Sequence, residues 1–240
     1  MKRSRGKTAG TVLLILAAVI AVTCVWYISN YYQASDEVRF YLSSSESVSF
    51  QNTDQGILLD GPSDECAMVF YPGGKVEYTA YLPMLWQIAE NGTDVFLVRM
   101  PANLAVFGKN KADSIMEHWN YKRWYIAGHS LGGVMAADYV AETERQVDGL
   151  ILLAAYPIKP LPQIPLLDLY GSNDLVLNRD KLKETEEYLP KDAVVMEIPG
   201  GNHAQFGNYG EQEGDGIADI TRQVQQEVTI RMILEMTGNR

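Results

Sequence analysis

Six residues constrain this chain more than any others: Gly128-His129-Ser130-Leu131-Gly132-Gly133. They fit the pattern G-x-S-x-G. Residues 121–127 before them have strand character, and residues 134–137 after them have helical character. A chain that passes from strand to helix so abruptly must turn at the serine. Bulk two positions before or after the turn would strike the neighbouring strand or helix, so glycine is required there. The serine hydroxyl is pushed outward, and the first N–H groups of the helix face the same place, which suits a developing negative charge. No Walker lysine accompanies the glycines, so a phosphate loop is the poorer reading.

A serine hydroxyl is a weak nucleophile at neutral pH. It needs an imidazole to take its proton, and the imidazole needs a carboxylate to fix its tautomer. His203 is the only histidine after Ser130. It follows an apolar run at 193–198, in the glycine-flanked loop Pro199-Gly200-Gly201-Asn202-His203. The preceding run, 166–170, leads into Gly171-Ser172-Asn173-Asp174, which makes Asp174 the candidate acid. Asp168 lies within that run and Asp180 within the next helical stretch, so both are expected to point elsewhere. His129, inside the turn, is read as structural and facing away from the serine.

The rest of the soluble part alternates strand and helix. Strands are expected at 66–71, 94–100, 123–127, 149–155, 166–170 and 193–198. Helices are expected at 79–90, 111–119, 131–144, 179–188 and 217–236. Continuous apolar strands separated by helices mean a mostly parallel sheet covered on both faces. Two further strands are expected at 38–42 and 47–51, with 57–60 extending the second. The connection 156–165 is short and rich in proline, which leaves no room for a large helical lid.

Acyl chemistry also needs N–H donors for the carbonyl oxygen. Leu131, after the serine, is one candidate. The loop Tyr71-Pro72-Gly73-Gly74-Lys75 supplies the other, from Gly74 or Lys75. Tyr71, Tyr78, Phe206 and Tyr209 either line an aromatic pocket near these loops or pack in the core.

The N-terminus is a different object. Residues 12–28 carry no charge, and with Thr11 the run is about 27 Å long as a helix, just enough for a hydrocarbon core. Residues 1–10 form a basic tail with Lys2, Arg3, Arg5 and Lys7, which places the N-terminus in the cytoplasm by the positive-inside rule. Trp26, Tyr27, Tyr31 and Tyr32 stand where an outer aromatic belt would sit. The expected organisation is a membrane anchor at 11–28, a linker at 29–36, and one catalytic domain at 37–240 outside the cytoplasm. A cleaved or lipidated signal segment is the rival.

The chain carries −10 overall, and +4 falls in the first seven residues, so residues 36–240 carry −14. That balance disfavours nucleic acid as a partner. Two cysteines give no disulfide framework, and three scattered histidines give no metal-ligand spacing.

Taken together, the runs Phe70–Val76, Val98–Pro101, Gly128–Gly133 and Gly201–Gly207 resemble the α/β-hydrolase superfamily, over residues 57 to 240. Within it the chain is similar to the small, lidless group of dienelactone-hydrolase-like and carboxylesterase-like proteins. The resemblance implies a triad of Ser130, Asp174 and His203 that cleaves a small ester, thioester or lactone through an acyl-enzyme, without a cofactor. Dienelactone enzymes use a cysteine nucleophile, and this chain departs from them there. Acyl transfer by the same triad and a non-catalytic binding role are the alternatives.

Overall fold

A computed structural model describes residues 3–238, with side chains from Ala9 onward; Lys2 of the basic tail lies outside them. Two compact units follow one another, residues 1–31 and 32–240. The first is a single helix, α1 (Arg3–Ser29). Its stretch Ala9–Ser29 is 21 residues long with a mean hydropathy of 2.6, long and apolar enough to cross a membrane.

The second unit is built on eight strands: β1 (Ser49–Thr53), β2 (Gly56–Asp60), β3 (Cys66–Tyr71), β4 (Asp94–Val98), β5 (Arg123–His129), β6 (Gly149–Leu153), β7 (Leu166–Gly171) and β8 (Val194–Ile198). They form one sheet in the order β1-β2-β4-β3-β5-β6-β7-β8. From β4 to β8 every pairing is parallel, while β1 and β2 add an antiparallel edge. Among the described residues five α-helices belong to the unit, together with short 3-10 turns: α2 (Leu82–Glu90), α3 (Lys111–His118), α4 (Leu131–Glu142), α5 (Arg179–Glu184) and α6 (Arg222–Thr237).

The central strands β3 to β7 are apolar on both faces because both faces are covered. Met68, Phe70, Tyr125, Ala127, Ile151 and Leu169 pack in one core with residues of α2 and α6. Ala67, Val69, Trp124, Ile126, Leu150 and Leu152 pack in a second core with residues of α3 and α4. Period-two alternation divides each strand between the two.

The edge differs from the sequence reading. Residues 36–41 form a 3-10 helix, not a strand, and Phe40 is 84% exposed. Residues 57–60 are not an extension of an earlier strand but the second arm of a hairpin whose register pairs Thr53 with Gly56. The expected linker is also partly structured: Tyr32 forms a parallel bridge with Val76.

One buried carboxyl group stands out. Asp168 of β7 falls between Leu167 and Leu169, which face the α2/α6 core, so its side chain faces the other core. It is fully buried, and neither carboxylate oxygen has a hydrogen-bond partner among the described residues. Burial pushes its pKa well above the ordinary 3.8. A raised folded-state pKa means that this residue's contribution to stability is lost as pH rises above 3.8, because only the unfolded chain then releases the proton. Asp168→Asn removes that penalty. Its advantage over the wild type should grow by about 1.4 kcal/mol per pH unit above that value until the folded acid itself ionises. Denaturant unfolding at pH 5 and pH 8 checks this; an advantage that does not change with pH contradicts it.

Candidate functional site

The turn at Ser130 is strained as the motif requires. Ser130 has φ 52° and ψ −125°, between the end of β5 and the start of α4. Its N–H donates to the Leu153 carbonyl of β6 at 2.9 Å. The flanking glycines are needed for space. A Cβ on Gly128 would lie 2.6 Å from the Gly132 carbonyl, and one on Gly132 would lie 2.2 Å from the Tyr71 carbonyl oxygen and 2.3 Å from that of Pro72. The elbow is thus seated directly against the loop that follows β3. Strain of this kind costs about 1–3 kcal/mol and persists only where the surroundings enforce it.

The loop that carries the candidate acid leaves β7 at Gly171. Asp174 Oδ1 accepts the N–H groups of Val176 at 2.9 Å and Leu177 at 2.8 Å, which turns Oδ2 toward the base loop. Oδ2 lies 2.8 Å from His203 Nδ1. The two side chains are 0% and 2% exposed. The acid and base loops are sewn together: Asn173 N–H donates to the Gly201 carbonyl at 2.8 Å, and Gly200 N–H donates to Ser172 Oγ at 2.7 Å. Behind the base loop, the buried Gln225 of α6 clamps Asn202 on both sides, accepting its N–H at 3.0 Å and donating to its carbonyl at 2.8 Å. This clamp comes from a residue that sequence reading did not single out; its only signal is a glutamine on the inner face of a helix.

A carboxylate against Nδ1 holds the proton there and leaves Nε2 as the acceptor. His203 Nε2 is buried and has no hydrogen-bond partner among the described residues, so no hydrogen bond joins it to Ser130 Oγ. Such contacts often tighten only when substrate is bound.

His129 is close to this pair. Its ring packs on that of His203 with centroids 4.6 Å apart. Its Nδ1 is 2.8 Å from Tyr81 Oη, and that hydroxyl accepts the Gly73 N–H at 3.0 Å. Having accepted from Gly73, the hydroxyl has its own proton to give to Nδ1. Burial, and then the neighbouring His203, push the His129 pKa well below 6.5, so His129 brings no positive charge beside the base.

The amides of the loop after β3 divide clearly. Gly73 donates to Tyr81, and Lys75 donates to the Asn103 carbonyl at 2.8 Å. Lys75 is therefore engaged inside the protein, and Gly74 is left among the expected donors of this loop. A Cβ on Gly74 would lie 2.8 Å from Leu131 Cδ2, so the two candidate oxyanion residues are neighbours. The aromatic residues turn out to be packing: Tyr71 and Phe206 are fully buried and Tyr209 nearly so, and Tyr71 Oη donates to the Lys109 carbonyl. No group of three His, Cys, Asp or Glu residues able to hold a metal ion occurs among the described residues.

A strained serine at the head of a helix, on a mostly parallel sheet, is the frame of one large family. Its model, described as the alpha/beta hydrolase family, matches residues 67–227. The chain belongs to the alpha/beta hydrolase family. Solved structures agree on the fold. TT1662 from Thermus thermophilus superposes with a TM-score of 0.61 at 15% identity, covering 80% of this chain and 99% of its own. An esterase from the Planctomycetes species Thermogutta terrifontis gives 0.53 at 15% identity, covering 79% and 92%. A monoacylglycerol lipase from Paleococcus ferrophilus gives 0.58 at 15% identity, covering 74% and 97%. No curated protein matches the chain.

Proposed function

We propose that this alpha/beta hydrolase is a serine esterase in which Ser130 attacks, His203 acts as base and Asp174 orients the base. The observation that carries the reading is the fully buried Asp174–His203 bond of 2.8 Å, beside an elbow whose backbone is held at φ 52°. Rotation of the Ser130 side chain toward Nε2 starts the reaction. Oγ forms a bond to the ester carbon and gives its proton to His203. His203 then passes that proton to the leaving alcohol, and water releases the acyl group by the same steps. The N–H groups of Leu131 and Gly74 receive the carbonyl oxygen's charge.

Two exposed apolar residues near Asp174 support a reading of the substrate's character. Leu175, which comes directly after the acid, is 72% exposed, and Ile217 is 90% exposed. Asn173 Nδ2 donates to the Ile217 carbonyl at 2.8 Å, and a Cβ on Gly216 would meet Leu175 at 3.3 Å, so the two share one edge. An ester with an apolar acyl chain suits such an edge, as do the esterase and lipase named among the structural relatives. The full-length protein in mild detergent should hydrolyse p-nitrophenyl esters, with kcat/KM rising severalfold or more from acetate to octanoate; each buried methylene is worth about 0.8 kcal/mol. A flat series removes the apolar edge from the account, and no turnover on any ester removes the esterase.

We propose further that α1 anchors the chain with the N-terminus in the cytoplasm, which the basic residues before an apolar stretch of 21 residues support. Alkaline washing of membranes should leave the protein in the pellet; release into the supernatant argues for cleavage.

A further inference from the structure

We infer that the short segment just after α1, residues 32–35, is a strap that positions the oxyanion loop. The inference rests on the reading of Gly74 as a donor, and it adds a set of positioning residues that the triad does not include. The segment reads as a polar linker, yet its backbone is paired into the domain. Tyr32 N–H donates to the Lys75 carbonyl at 2.8 Å, and Glu77 N–H donates to the Tyr32 carbonyl at 2.8 Å. These two bonds bracket Val76 as a piece of parallel ladder. Ala34 N–H donates to Glu77 Oε2 at 3.0 Å. Ser35 N–H donates to the Asn208 carbonyl at 2.8 Å, five residues beyond His203. Tyr32 also packs on Tyr209 with ring centroids 5.7 Å apart, and its hydroxyl accepts the Glu213 N–H at 3.1 Å.

The loop needs such support. Lys75 has φ 59°, a left-handed conformation that a lysine adopts only at a cost. It is held from two sides: Asn103 takes its N–H and Tyr32 gives to its carbonyl. With Lys75 pinned, the adjacent Gly74 peptide is fixed against Leu131. Removing the Tyr32 bond leaves Lys75 free to relax out of the left-handed region, and Gly74 moves with it. Gly74 matters only when charge develops on the substrate, so the loss should appear in kcat more than in KM.

The test uses the full-length protein. Tyr32→Pro removes the N–H that reaches Lys75, and Tyr31→Pro, one residue outside the strap, is the control. Three quantities are read on a short ester: kcat, KM, and the Ki of an alkyl trifluoromethyl ketone, whose hemiketal oxygen mimics the oxyanion. Tyr32→Pro should lower kcat about tenfold or more and raise Ki by a similar factor, with KM within about threefold, since misplacement by an ångström costs up to about 10² in rate. Tyr31→Pro should match the wild type. If Tyr32→Pro does not fold, as judged by its melting curve, Glu77→Ala decides: it removes the acceptor for Ala34 and should shift kcat and Ki in the same direction by a smaller factor. Unchanged kcat and Ki in a folded strap variant overturn the inference, as does a fall in kcat with Ki unmoved. A wild-type chain that neither turns over ester nor binds the ketone fails differently, because it removes the triad and the strap together.

Discussion

Ser130→Ala is expected to lower ester turnover by on the order of 10³-fold or more while leaving the fold intact. Only the hydroxyl group is removed. The alanine keeps the backbone bond to Leu153 at 2.9 Å and the helix that starts at Leu131. The Asp174–His203 pair also survives, since neither residue depends on Oγ for a partner. The melting temperature should therefore stay within a few degrees of the wild type. Substrate affinity should change little, because the serine contributes covalent chemistry and not binding area. Turnover by the variant within tenfold of wild type would place the nucleophile elsewhere.

Gly132→Ala should be damaging in a different way. One methyl group there would sit 2.2 Å and 2.3 Å from two carbonyl oxygens, those of Tyr71 and Pro72. These are backbone atoms at the end of β3, and they do not yield as a flexible side chain would. Either the loop after β3 or the first turn of α4 must shift. We expect a stability loss on the order of 3 kcal/mol. In the protein that still folds, kcat should fall by roughly 10² because Gly74 and Leu131 separate. Melting curves and kcat measured together check this. Wild-type values for both would mean that the elbow and the loop after β3 are not in contact.

Much of the fold is legible in the sequence, for identifiable reasons. The elbow is legible because steric exclusion leaves glycine as the only residue that fits at 128 and 132, and that leaves a mark in the sequence. The parallel sheet is legible because burial on two faces removes polar residues from the strands. The 3-10 helix at 36–41 was missed because Val38, Phe40 and Leu42 alternate like a strand, yet only Val38 is buried. The strap at 32–35 leaves no mark in the sequence because its bonds are mostly backbone to backbone, and such bonds do not select residue types. The packing of His129 on His203 joins positions 74 residues apart, and no local pattern announces it. Sequence alone leaves Lys75 a possible donor, because it does not show that Asn103 takes its N–H.

If one hydroxyl, one imidazole and one carboxylate act together at this elbow, an alkyl fluorophosphonate must mark the intact chain at one place. A single phosphonyl group should be found by peptide mass spectrometry on Ser130, and His203→Ala should slow its formation by about 10³ or more. An adduct on any other residue, or one that forms as fast without His203, contradicts the account.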